Sequence, residues 1–142
     1  MNKLFIMPLV CLVVAFSCNQ PASSTDHNDS ISSAEAPLIR SIDSRDAKRL
    51  LDSKEEIILL DVRTPEEYAE GHLAGASNID YNNPDFKDRI QQLDRNKTYM
   101  IYCAVGGRSG KTLKIMEDMG FKSVFNVSEG FKELKEQGIS VE

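Results

Sequence analysis

From Leu38 onward the chain alternates between short apolar runs and longer stretches in which apolar residues return every three or four positions. The first pattern suits strands and the second suits one buried face of a helix. Leu38 to Ile42 is the first expected strand, and Ser44 to Leu51 carries Ala47, Leu50 and Leu51 at helical spacing. Ile57-Ile58-Leu59-Leu60 is continuously apolar, as in a strand covered on both faces. Thr64-Pro65-Glu66-Glu67 predicts a helix start: Thr64 can cap, Pro65 suits the first turn and Glu67 completes a capping box. Gly71 ends that helix. A short strand is expected over Ala76 to Ile79, a helix over Asp85 to Leu93 and a strand over Thr98 to Tyr102. Gly110 to Met119 then places Leu113, Met116 and Met119 on one helical face, with Gly120 as the stop. A fifth strand, Ser123 to Val127, and a closing helix, Phe131 to Gln137, complete the series. Strands alternating with helices predict an α/β domain whose parallel sheet is joined by crossover helices.

The residues before Leu38 follow another pattern. Lys3 precedes an apolar stretch, Leu4 to Phe16, broken only by Pro8 and too short for a permanent membrane-spanning helix, so residues 1–17 read as a secretory signal. Ala15-Phe16-Ser17-Cys18 resembles the lipobox of bacterial lipoproteins, with Ala15 where leucine is usual and Ser17 as a tolerated small residue. That resemblance implies lipidation of Cys18 and an envelope protein facing the periplasm or the outside. Ordinary cleavage leaving a free or paired Cys18 is the alternative, and Cys11 would be discarded with the leader. Residues 18–37 are Ser-rich and nearly without large apolar side chains, the composition of a flexible tether, and residues 38–142 form the folded domain. His27 lies in the tether with no neighbouring ligand-type residue and reads as solvated.

The 142 residues, 41% hydrophobic and 27% charged, suit one globular domain once the leader is removed. The formal charge of −5 becomes one unit more negative with the loss of Lys3, and no basic cluster is present. This composition argues against nucleic acid as a partner. No cofactor or metal is expected, and the domain is read as a monomer.

The chemistry centres on Cys103, the only cysteine of the folded part. It ends the run Thr98-Tyr99-Met100-Ile101-Tyr102 and opens Cys-Ala-Val-Gly-Gly-Arg-Ser. A thiol at the carboxyl end of a strand stands where open α/β sheets bind ligands. The loop N–H groups, the following helix start and Arg108 would direct positive charge at the sulfur and favour thiolate. Gly106 and Gly107 free the turn to adopt positive φ or to curl closely around the sulfur. Arg108 can hold an anion through its planar fork. An exported protein with one free thiol in its folded part needs a chemical reason to keep it.

Two segments carry a resemblance to a known family. Asp61-Val62-Arg63-Thr64-Pro65-Glu66-Glu67-Tyr68-Ala69-Glu70-Gly71-His72-Leu73-Ala74-Gly75-Ala76-Ser77-Asn78-Ile79 resembles the second-strand signature of the rhodanese superfamily. Tyr102-Cys103 with Gly106, Arg108 and Ser109 is similar to the active-site loop of single-domain rhodaneses, and the match spans residues 38 to 138. The resemblance implies a five-stranded parallel sheet flanked by helices on both faces. It also implies a sulfurtransferase that moves sulfane sulfur from thiosulfate or a similar donor to cyanide or a thiol through a Cys103 persulfide. The loop Ala104, Val105, Gly106, Gly107, Arg108 and Ser109 would bind the substrate. Related dual-specificity phosphatases place the arginine one residue further on, where this chain has Ser109, so a phosphatase or arsenate reductase is disfavoured. A non-catalytic binding module is the remaining alternative, and retention of Cys103, Gly106 and Arg108 argues against it.

Simpler roles compete at several positions. Cys103 could be an inert core residue and Arg108 a solvated helix-start residue, although their shared loop favours chemistry for both. Asp61 and Arg63 are expected to brace the sheet end by ion pairing, and His72 to hydrogen-bond backbone at its turn. Met100, Met116 and Met119 read as core. Two departures from the family stand out: Glu129-Gly130 and Leu134 replace the usual Gly-Gly and tryptophan, and Ala104 and Val105 replace polar residues after the cysteine. The first bears on acceptor selectivity and closing-helix packing. The second makes the entrance apolar and thiosulfate a poorer donor.

Overall fold

The computed structural model describes residues 36–142 apart from position 54, so the leader and Cys18 lie outside the described residues. Five strands, β1 (Leu38–Ile42), β2 (Ile57–Asp61), β3 (Ser77–Asn78), β4 (Thr98–Tyr102) and β5 (Ser123–Val127), form one sheet in the order β1-β5-β4-β2-β3. Every pairing between these strands is parallel. The helices are α1 (Ser44–Asp52), α2 (Pro65–Ala69), α3 (Phe86–Gln91), α4 (Gly107–Asp118) and α5 (Phe131–Glu136).

The two-residue period of the central strands divides the core between the faces. Tyr99 and Ile101 of β4 join Leu60, Val124, Phe86, Ile90 and Met116 in a core covered by α3 and α4. Met100 and Tyr102 point the other way and join Phe125, Val127, Ala47 and Leu134 under α1 and α5. Helices therefore flank both faces, which is why β4 reads as uninterrupted apolar sequence. Leu134 is fully buried in the position where the tryptophan was expected, so a smaller aliphatic side chain serves in the packing of α5.

The elements differ from their predicted bounds mainly at their ends. β2 runs on to Asp61 because the carboxylate is satisfied within the fold by Arg63. β3 is shorter than expected, because the Ala76 N–H turns back to the Leu73 carbonyl at 2.9 Å. Helix α4 begins at Gly107 rather than Gly110. Gly106 adopts φ +81°, and its carbonyl accepts the Gly110 N–H at 2.9 Å, which closes the first turn around two poor helix formers. Arg108 and Ser109 thus belong to the first turn of α4, not to a loop before it.

Candidate active site

Register brings the site together. β2 and β4 pair Asp61 with Tyr102, and the Val62 N–H extends the ladder to the Tyr102 carbonyl at 3.0 Å. Arg63 therefore leaves the sheet next to Cys103. On the other side of β4, β5 delivers Ser128, Glu129 and Gly130 over the cysteine loop. A Cβ on Gly106 would lie 1.9 Å from the Ser128 carbonyl oxygen, and one on Gly130 would lie 2.1 Å from that of Ala104. These distances leave no room for a side chain at either position. The Phe131 N–H donates to the Cys103 carbonyl at 2.8 Å and fixes the backbone at the cysteine. Gly107 needs no such freedom, since its helical backbone has nothing within 4 Å of a built Cβ.

Cys103 is 1% exposed, at the base of this loop. Ser109 Oγ lies 3.5 Å from its sulfur and 3.2 Å from the Gly106 carbonyl, within reach of either with its single proton. Burial pushes the Cys103 thiol up. Hydrogen bonds from the Ser109 hydroxyl and from the backbone N–H groups of Ser109, Val105 and Arg108 outweigh it, so the thiol titrates below its ordinary value. These donors come from the start of α4 and the turn before it, where amide groups lack helical partners. The arrangement stabilises negative charge on sulfur in a nearly dry setting, as a nucleophilic cysteine requires.

Arg108 differs from the expectation of a free fork. Its Nη1 donates to Glu67 Oε2 at 2.6 Å and its Nη2 to Glu67 Oε1 at 2.8 Å, a bidentate pair between α4 and α2. The pair raises the Arg108 pKa, to which the Cys103 sulfur beside it also contributes. Glu67 is held down to about 2, chiefly by the Arg108 hydrogen bonds. The same carboxylate accepts the Thr64 N–H at 3.0 Å while the Thr64 hydroxyl accepts the Glu67 N–H, so the capping box and the ion pair share one side chain. The capping signal was legible at Glu67, but its reach to Arg108 was not.

Asp61 and Arg63 form a buried pair. Arg63 Nε donates to both Asp61 oxygens at 3.0 and 2.9 Å, and its Nη2 to Asp61 Oδ2 and to the Gly71 carbonyl at 2.7 Å each. The guanidinium also lies 4.0 Å from the Phe131 ring centroid. His72 sits at its turn with Nδ1 3.0 Å from the Tyr68 carbonyl and its ring stacked on Tyr68 at 3.6 Å. Its Nε2 lies 3.4 Å from Glu142, and none of these contacts reaches the cysteine loop. Ala104 is half-buried, whereas Val105 is 78% exposed at the loop tip. Glu129 turns away to accept the Ser44 N–H at 2.8 Å. Among the described residues, no three His, Cys, Asp or Glu side chains are grouped to hold a metal ion.

A parallel α/β domain with a hydrogen-bonded cysteine at the carboxyl edge of its sheet is the class of protein defined so far. Residues 43–137 match the rhodanese-like domain family, and the chain belongs to that family. The Bacillus subtilis protein YtwF is 36% identical over 92 residues, 65% of this chain and 86% of YtwF. The thiosulfate sulfurtransferase PspE of Escherichia coli is 38% identical over 77 residues, 53% of this chain and 71% of PspE. The crystal structure of a rhodanese-like domain protein from Staphylococcus aureus matches with a TM-score of 0.62 at 29% identity, covering 72% of this chain and 97% of that one.

Proposed function

We propose that this protein is a sulfurtransferase that carries sulfane sulfur on Cys103, anchored to the bacterial envelope through lipid on Cys18. The observation that carries the sulfur-transfer reading is the Cys103 sulfur within its set of hydroxyl and amide donors, which lowers the thiol pKa in spite of burial. An ordinary thiol with a pKa of about 8.5 is only a few per cent thiolate at neutral pH, and lowering it by one to two units raises the reactive fraction about tenfold or more. The thiolate attacks the outer sulfur of a donor, the donor's remaining fragment leaves with the bonding electron pair, and Cys103 becomes a persulfide. The terminal sulfur of that persulfide is then attacked by cyanide or a thiolate, and the Cys103 thiolate returns. Both halves pass negative charge across the same N–H groups, so one cradle serves both. The anchor reading rests on the leader, the residues before Cys18 and the polar tether. Each buried methylene of an acyl chain contributes about 0.8 kcal/mol, and two or more chains hold a domain durably on a membrane.

Intact-mass measurement on the full chain recovered from fractionated bacteria tests both parts. The expected species is membrane-bound, carries acyl mass at Cys18, and gains one sulfur atom on exposure to thiosulfate, mercaptopyruvate or polysulfide. Cyanide removes that sulfur, and Cys103→Ser never acquires it while keeping its fold. A soluble wild type with unmodified Cys18 sinks the anchor. A wild type that takes sulfur from none of the three donors sinks the sulfurtransferase and leaves a binding module.

A further inference from the structure

We propose that Glu67 sets donor specificity at the Cys103 site: by occupying both terminal nitrogens of Arg108 it leaves the site without a free cation and selects sulfane-sulfur donors of low charge over dianionic ones. The inference rests on the sulfur-transfer reading and names the substrate class of that site. Each of the two arginines at the site is held by a carboxylate, Arg63 by Asp61 and Arg108 by Glu67. Val105, 78% exposed, puts an apolar side chain at the loop tip. A thiosulfate dianion approaching Cys103 therefore meets a thiolate, a carboxylate and one arginine, a balance that repels it. A thiosulfonate or persulfide presents less charge, and its organic part meets Val105 instead of water.

The transfer balances for either kind of donor. The thiolate forms an S–S bond to the outer sulfur of thiosulfate and sulfite departs with the electron pair. With benzenethiosulfonate the leaving group is benzenesulfinate. Only the charge and the bulk of the departing fragment differ. Lys111, one turn along α4 from Arg108, is exposed and has no carboxylate partner among the described ion pairs, so it is the alternative cation for an anionic donor.

Glu67→Gln separates these readings. Glutamine at this position still completes the capping box, and it frees Arg108 from a charged partner. The KM for thiosulfate should fall about fivefold or more while that for benzenethiosulfonate stays within about twofold, as expected for removing one unit charge several ångströms away. Comparing the two donors across the variant cancels their different intrinsic reactivities. A second probe is independent of sulfur transfer: the rate of Cys103 alkylation by monoanionic iodoacetate relative to neutral iodoacetamide should rise about twofold, the change expected for a single negative charge. In the wild type that ratio should rise modestly with salt, because the thiolate and the Glu67 carboxylate outweigh the single arginine and salt screens their repulsion. An unchanged thiosulfate KM, an equal loss of kcat for both donors, or a wild-type ratio that falls steeply with salt overturns the proposal. If neither donor loads the wild type, the sulfur-transfer reading fails, and the alkylation ratios still report whether Glu67 controls the charge at Cys103.

Discussion

The two arginine–carboxylate pairs at the carboxyl edge of the sheet share a chemistry and differ in almost everything else. Asp61 and Arg63 are two residues apart, both buried, joined by three side-chain hydrogen bonds and sealed by the Gly71 carbonyl and the Phe131 ring. Glu67 and Arg108 come from helices 41 residues apart, and their side chains keep 32% and 24% of their surface. The first pair is locked by its surroundings, because neither member can exchange its partner for water. The second is adjustable, since both side chains remain partly exposed to water. A fixed pair defines the shape of the sheet end, and an adjustable one can tune the charge that a donor meets.

The largest expected effect breaks the fixed pair. Asp61→Asn leaves the buried Arg63 charge without its counter-charge, a situation that costs about 3–5 kcal/mol. Urea unfolding should show a loss of that size with the slope unchanged. A loss below about 1 kcal/mol would mean that water already reaches Arg63 and that the two pairs are alike.

The loop glycines carry the same contrast between constrained and free positions. Gly106→Ala places a methyl group against the Ser128 carbonyl at positive φ and should cost about 2–4 kcal/mol, together with most of the reactivity of Cys103. Gly107→Ala meets open space in a helical conformation and should be neutral or stabilising by up to about 1 kcal/mol. Thermal melting with iodoacetamide kinetics distinguishes them, and equal losses at both sites would show that the close contact of the Gly106 turn with Ser128 does not control the loop.

Much of this fold could be read from spacing alone. β4 is a five-residue apolar strand ending at the cysteine, and its two faces separate into two cores because the period of a strand is two. The Asp61–Arg63 pair was also legible, since the partners are local in sequence. The Glu67–Arg108 pair was not, because nothing in either helix pattern states that α2 faces the start of α4. That proximity follows from β2 lying beside β4 in the sheet, a long-range fact about strand order. The fit of Gly130 against Ala104 depends likewise on β5 pairing with β4. The early start of α4 is not legible in the sequence, because Gly106 and Gly107 suppress helix propensity where a positive-φ turn and a single closing hydrogen bond make the helix possible.

The smallest expected effect concerns the adjustable pair and appears only in acid. Glu67 has an ordinary value of 4.5 in the unfolded chain and about 2 in the folded one, so over that interval the folded state binds fewer protons. Stability from the pair is complete above about pH 5 and is lost as the pH falls toward 2. Since both side chains remain partly in water, the contribution is discounted to about 1 kcal/mol. Glu67→Gln has no carboxylate to titrate and should lose less stability than the wild type between pH 6 and pH 3, by an amount of that order. Urea midpoints at the two pH values provide the comparison. Parallel losses in both proteins would show that solvent screening has removed the stabilising part of the pair, leaving Glu67 to act on charge at the site alone.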